Sequence, residues 1–193
     1  MDSAVFRHFN FLDIIILIIL FRICYIALKD GLAMELFKLL GVLSAIYISS
    51  HFYTSFSHIV KLRYVPEGIS LEFVNFVIFI LLACVGYTAL AFLRVAFCRF
   101  MKMEAAPKLN KYGGLLLGLA RGYFTIGLLI YVLMISNVGY LTSSVKHSSL
   151  GSRGISISSQ TYNWIWESIF SKFFPQEKSN SVVRETSDNL AQK

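Results

Sequence analysis

The sequence predicts an all-α membrane protein: four transmembrane helices followed by a C-terminal amphipathic helix at the lipid interface. Two observations carry this. Of the 193 residues, 56% are hydrophobic and 15% charged, with a mean hydropathy of +0.64, whereas soluble domains carry about a quarter charged residues. The apolar residues are also gathered into runs of roughly 20, the length that crosses a hydrocarbon core.

Residues 1–8 are a short N-terminal segment, and residues 9–140 hold spans near 9–28, 31–53, 70–93 and 112–138. No small-x-small cleavage site follows the first apolar run, which reads as an uncleaved helix with Asp13 near one end and Arg22 inside it. Asp30 offers an N-cap for the second span. At about 100° per residue, Gly31, Glu35, Lys38, Val42, Ala45 and Ser49 fall on one stripe of that span. Thr54 to Ile69 reads as a loop punctuated by Pro66 and Gly68. The third span carries Asn75 and Gly86 close to one face. A basic loop with Arg94, Arg99, Lys102, Lys108 and Lys111 against the single Glu104 leads to the fourth span.

Beyond the spans, residues 141–174 read as a Ser/Gly-rich linker and then an amphipathic helix. Tyr162, Ile165, Trp166, Ile169, Phe170 and Phe173 share one face of that helix and Trp164 breaks the pattern. Such a short aromatic helix suits an anchor lying in the headgroup plane; as an alternative it presents an exposed patch to a partner. Residues 175–193 are polar and read as disordered.

Net charge is +7 and the pI about 9.4. The basic residues lie mainly between spans and in the tail, a placement that fits anionic lipid and the positive-inside rule. Nucleic-acid binding lacks both a motif and a basic stripe. Five cations in the loop after span three place it in the cytoplasm, with both termini outside.

The stretch Lys111 to Phe124, KYGGLLLGLARGYF, repeats glycine every four residues at Gly114, Gly118 and Gly122. Each glycine costs about 1 kcal/mol relative to alanine in a soluble helix. In lipid, close backbone approach is itself what drives helix association, so these residues, with Gly31 and Gly41, are packing positions. Their partner helix lies either in this chain or in another copy. Arg121 projects from the same side, and a guanidinium at membrane depth costs at least about 2.5–3.5 kcal/mol unless it faces protein or water. Glu35 is its preferred partner, with Lys38 and Arg22 competing. Asp13, Glu35, Lys38 and Arg121 thus form a candidate polar seam, serving either to orient the bundle or to pass an ion or small solute.

The residues point to no catalytic, cofactor or metal site. There is no GxSxG, HExxH, Walker or Rossmann pattern; Gly154-Ile-Ser156-Ile-Ser158 lacks the final glycine of a nucleophile elbow. His8, His51, His58 and His147 are dispersed. Cys24, Cys84 and Cys98, odd in number and without ligand spacing, read as small hydrophobes.

Several of these stretches, in order, resemble the colicin V production protein family, CvpA, of bacterial inner membranes. They are Asp13 with its apolar run, DGLAMELFKLLG with Gly31, Glu35 and Gly41, SSHFYTSFS from Ser49 to Ser57, LNKYGGLLLGLARGYFTIGLLI with Arg121, and SSLGS near Ser149–Leu150. The resemblance covers roughly residues 9–174. Where the family usually carries Asp-Arg ahead of the last span's glycines, this chain has Asn110-Lys111, so a role for that aspartate does not carry over. The resemblance implies a multi-pass inner-membrane protein, non-enzymatic and accessory to toxin production or secretion and envelope maintenance. Its partners would be the bilayer and either other membrane proteins or copies of itself. The alternative is a small homo-oligomeric channel or transporter built on the polar seam.

Overall fold

The structure, a computed structural model, describes residues 11–64, 66, 68–100, 107–136, 138–173, 176–177, 179–183 and 185. All elements among them are helical: α1 (Phe11–Tyr64), α2 (Leu71–Phe100), α3 (Pro107–Ile135), α4 (Gly139–His147), α5 (Ser149–Ile165), a π-helical turn (Trp166–Phe170) and α6 (Ser171–Phe173). Three helices are long and apolar enough to cross a membrane: α1, residues 71–97 of α2, and residues 108–135 of α3. The protein is a helical membrane protein.

At 54 residues, α1 would run about 80 Å if straight, more than twice a hydrocarbon core. It is broken at Gly31, where φ is 80° and ψ 176°, a backbone conformation open essentially to glycine alone. The break folds the helix back on itself. Ala27 and Glu35, four residues before and after Gly31, both lie against Gly118, and Ile23 and Val42 border one cleft. The second arm starts with a borrowed cap: the Leu32 N–H donates to Asn110 Oδ1 at 2.8 Å. Asp30, expected as that cap, instead takes the Lys38 ammonium.

α2 runs antiparallel to the second arm, with Gly86 against the Ala45 backbone and Phe97 against Phe37. α3 packs between the arms and meets α2 only sparsely. A core of Ile46, Tyr53, Phe79, Tyr131 and Tyr162 fills the end of the bundle away from Gly31. Large apolar side chains such as Ile18, Phe21, Leu81, Phe92, Leu116 and Tyr123 are exposed on its outside, as expected where lipid is the solvent.

Four sequence expectations change. Helix α1 continues through the predicted Thr54–Ile69 loop as far as Tyr64, ending on Lys61 and Arg63, which suit a helix C-terminus. The predicted linker over residues 141–160 is helical, because small residues on both helices let α5 close on α3: Gly154 of α5 meets Ile130, and Gly127 of α3 meets Ile157. The face expected at the lipid interface is divided: Tyr162, Ile165 and Trp166 are buried in the bundle, Phe170 is half-buried, and Ile169 and Phe173 are exposed. Part of the tail expected to be disordered is ordered on the second arm. The Asn180 side-chain amide donates to Ser50 O at 2.8 Å and to Thr54 Oγ1 at 3.1 Å, and Val183 is fully buried. Residues 1–8 and 186–193 lie outside the described residues.

Candidate functional site

Two turns of helix on either side of one break assemble the candidate site. On a continuous helix Asp30 and Lys38 would stand about 12 Å apart along the axis. The turn at Gly31 brings them into contact instead. Lys38 Nζ also lies 2.7 Å from Glu35 Oε1. From α3, Arg121 Nε comes to 3.0 Å from Glu35 Oε2. Two carboxylates and two cations form one cluster, with formal charges that cancel. Glu35 is fully buried, Arg121 is 8% exposed and Lys38 9%. Burial of a charge at this depth requires such pairing.

The glycines of α3 make the cluster sterically accessible. A Cβ at Gly114 would come within 2.8 Å of Ala27 O and 3.0 Å of the Gly31 carbonyl carbon, and one at Gly118 would collide with the Ala27 Cβ. A Cβ at Gly122 would meet Leu20 Cδ1 at 2.8 Å. The groove is therefore filled by the first arm of this same chain, not left open for a second copy. Gly41 serves the other side of the second arm, against Tyr87.

Asp13 does not join this cluster. It is fully buried near the opposite end of the bundle, where it accepts from Ser148 Oγ at 2.6 Å. Ser148 in turn accepts from the Gly151 N–H at 2.8 Å and so caps α5. Arg22 is exposed, and the ion pairs of Glu35 are with Lys38 and Arg121. Seven residues after Ser44, His51 Nδ1 lies 2.9 Å from Tyr162 Oη, which also accepts from the Asn180 N–H at 2.9 Å. Burial raises the Tyr162 phenol pKa above its ordinary 10.0, opposed by that N–H. His51 stacks on Trp166 at 5.3 Å.

Sequence reasoning missed Asp30, Asn110, Ser148 and the His51–Tyr162 contact as structural partners. The helical phase restarts at Gly31, so periodicity does not relate Asp30 to Lys38. Asn110 was marked only as a departure from a family pattern, yet its amide oxygen keeps an acceptor where an aspartate would have one. Ser148 and Tyr162 sit far along the chain from their partners, and no local spacing announces them.

Beside Arg121 a cleft of about 680 Å³ opens between the two arms, α2 and α3. Its walls include Ile23, Val42, Ala83 and Leu128, with Arg121, Thr125 and Thr88 among its few polar residues. No cluster of His, Cys, Asp and Glu among the described residues has the arrangement of a metal site.

A glycine-packed helical hairpin in a membrane bundle, with a buried neutral ion cluster at its turn, defines a small polytopic membrane protein. The chain matches the family described as Colicin V production protein over residues 12–178, and it belongs to that family. No curated protein and no solved structure gives a significant match.

Proposed function

We propose that the protein is a four-span, non-enzymatic accessory factor of the bacterial inner membrane. It serves colicin V production or secretion and envelope maintenance by assembling with other membrane proteins or with itself. The observation that carries this is the self-neutralised cluster of Asp30, Glu35, Lys38 and Arg121. Its charges are used on one another, which suits a device that fixes helix geometry. The channel or transporter alternative needs a polar route onward from Arg121, and the cleft there is walled by Leu128, Val132 and Ile80.

The break at Gly31 supports counting two spans in α1, since the 20 residues of its first arm reach about 30 Å. Contact between Asn110 and the Gly31 turn supports a shared side of the membrane for that turn and the basic loop. This supports a cytoplasmic location for both, with the two termini outside. Partners would meet surfaces other than the glycine groove, and the exposed Trp164, Ile169 and Phe173 of the tail are suited to that.

The test is purification from native membranes in mild detergent through a tag after Lys193, with the mass and stoichiometry of the complex determined. A distinct protein that is lost on Trp164→Ala supports the accessory reading. A pure homo-oligomer whose solute flux is abolished by Glu35→Gln and Arg121→Gln together, at normal abundance, overturns it in favour of transport. A periplasm-active reporter after Lys193 checks the topology; activity of a cytoplasmic reporter there reverses it.

A further inference from the structure

Outside the ion cluster, the charges at the Gly31 end of the bundle do not balance. Asp30 and Glu35 are the carboxylates that the described residues place there, and both are taken by Lys38 and Arg121. Arg22, Lys29, Arg94, Lys108 and Lys111 belong to no ion pair among the described residues. Two of these cations stand together. Arg22 and Lys29 are seven residues apart on the first arm, about 20° short of two full turns, so they share one face, and both are exposed. Tyr25 lies between them on that face. The Lys29 Nζ stands 4.4 Å from the centroid of the Tyr25 ring, a cation–π contact that turns the ammonium back along the helix toward Arg22. Two positive charges are thus gathered on one stripe with no carboxylate between them.

The surroundings decide which anion compensates them. Arg22 is nine residues, about 13 Å, from the Gly31 break, and its exposed neighbours Ile18, Phe21 and Tyr25 are apolar or aromatic. A cation on the lipid-facing surface of a span requires a partner there. Ile18 and Ile14, four and eight residues before Arg22, continue the same side of the helix and are exposed, which gives a hydrocarbon chain a track to lie on. The ligand therefore carries a negative head and an apolar tail.

We propose that the lipid-facing side of the first arm binds an anionic phospholipid of the cytoplasmic leaflet, its phosphate held between Arg22 and Lys29 and an acyl chain lying over Ile18 and Ile14. The leaflet rests on the topology proposed above; the site does not. A headgroup of net negative charge is selected over a zwitterionic one, because the ammonium of the latter is repelled by the two cations.

The full chain, delipidated in dodecyl maltoside, is titrated with phosphatidylglycerol or with phosphatidylethanolamine of the same acyl chains, and the first bound lipid is followed by native mass spectrometry. Wild type is expected to bind phosphatidylglycerol about tenfold more tightly than phosphatidylethanolamine. Arg22→Gln with Lys29→Gln, both at exposed positions, is expected to bind the two lipids alike while its elution and circular dichroism stay those of wild type. Lys61→Gln with Arg63→Gln removes the same charge from the far end of α1 and is expected to keep the preference. Equal binding of the two lipids by wild type overturns the proposal. A preference that survives in Arg22→Gln with Lys29→Gln, or that falls equally in both double variants, also overturns it, the second case marking a diffuse field rather than a site. So does a second membrane protein released by Arg22→Gln with no lipid preference in wild type, since a partner's carboxylate then meets Arg22. The topology reporter reads the leaflet separately: a reversed topology with the preference intact moves the site to the other leaflet and leaves its residues in place.

Discussion

Glu35→Gln is the substitution whose consequence the geometry ranks most sharply. Glu35 is fully buried and serves two cations, Lys38 at 2.7 Å and Arg121 at 3.0 Å. Glutamine keeps its shape and removes one negative charge, so the cluster passes from neutral to a net positive charge. Lys38 still has Asp30, but Arg121 loses its carboxylate. Breaking a buried pair by removing one member costs about 3–5 kcal/mol. Arg121→Gln is milder, because Glu35 keeps Lys38; the loss of one charged partner costs about 1–3 kcal/mol. The double variant Glu35→Gln with Arg121→Gln is neutral again and leaves Asp30 on Lys38. It is expected to be more stable than Glu35→Gln alone by about 1–3 kcal/mol, a coupling typical of contacting residues. A charge swap is not equivalent: Glu35→Arg sets a second cation where the carboxylate is now 2.7 Å from Lys38. The assay is titration of the micelle-bound protein with sodium dodecyl sulfate, unfolding being followed by circular dichroism. Equal costs for the two single variants that simply add in the double would refute the cluster as a coupled unit.

Other substitutions test the remaining contacts by the same titration. Gly31→Ala forces an L residue into a glycine-only conformation and drives its Cβ into Asn110, for a loss of about 1–3 kcal/mol or more. Gly68→Ala, where a Cβ meets nothing, should leave the midpoint unchanged, and an equal shift in both would refute the hairpin. Ser148→Ala removes both the bond to Asp13 and the α5 cap, at about 1–2 kcal/mol, and should speed hydrogen exchange in α5 before the rest of the bundle. Tyr162→Phe should speed exchange at Asn180, whose N–H loses its acceptor while the side-chain bonds to Ser50 and Thr54 remain. Because burial raises the Tyr162 pKa above the 10.0 of an unfolded tyrosine, its contribution is complete below pH 10 and lost as pH rises through the higher folded value. Ultraviolet titration of the phenolates should therefore show one fewer late-ionising tyrosine in Tyr162→Phe than in the wild type.

Composition was enough to read the helical class and the membrane, because lipid imposes both length and apolarity on any span. The pairing of Glu35 with Arg121 was legible for a related reason: few carboxylates lie at membrane depth, and one of them falls on a stripe of small residues. The hairpin was legible only as two adjacent spans; that a single glycine forms the turn follows from a φ of 80°, which no composition reports. The tail was misread because serine and glycine carry opposite meanings in the two solvents. In water Leu141 to Gln160 has the composition of a linker, whereas against an apolar bundle its Gly154 allows α5 to approach α3, as Gly127 does from the α3 side. Tyr162 and Trp166 then turn inward, since His51 and the second arm offer them polar and aromatic partners.

The glycines and the charges answer different questions about the same interface. Gly114, Gly118 and Gly122 recur every four residues, close to one turn of helix, so the groove they form is nearly self-similar. Sliding α3 by four residues against the first arm would lay one glycine where another had been and keep much of the close packing. Small-residue grooves give affinity in lipid, but this one has little power to choose a register. Arg121 breaks the degeneracy. A four-residue slide would carry the guanidinium about 6 Å from Glu35, leaving a carboxylate and a cation buried and mismatched, and each such separation costs several kcal/mol. The cluster need not add net stability to matter. It makes the alternative registers of a glycine-packed hairpin expensive, and Asn110, fixed to the Leu32 N–H at the turn, holds the same register from the other end of the groove.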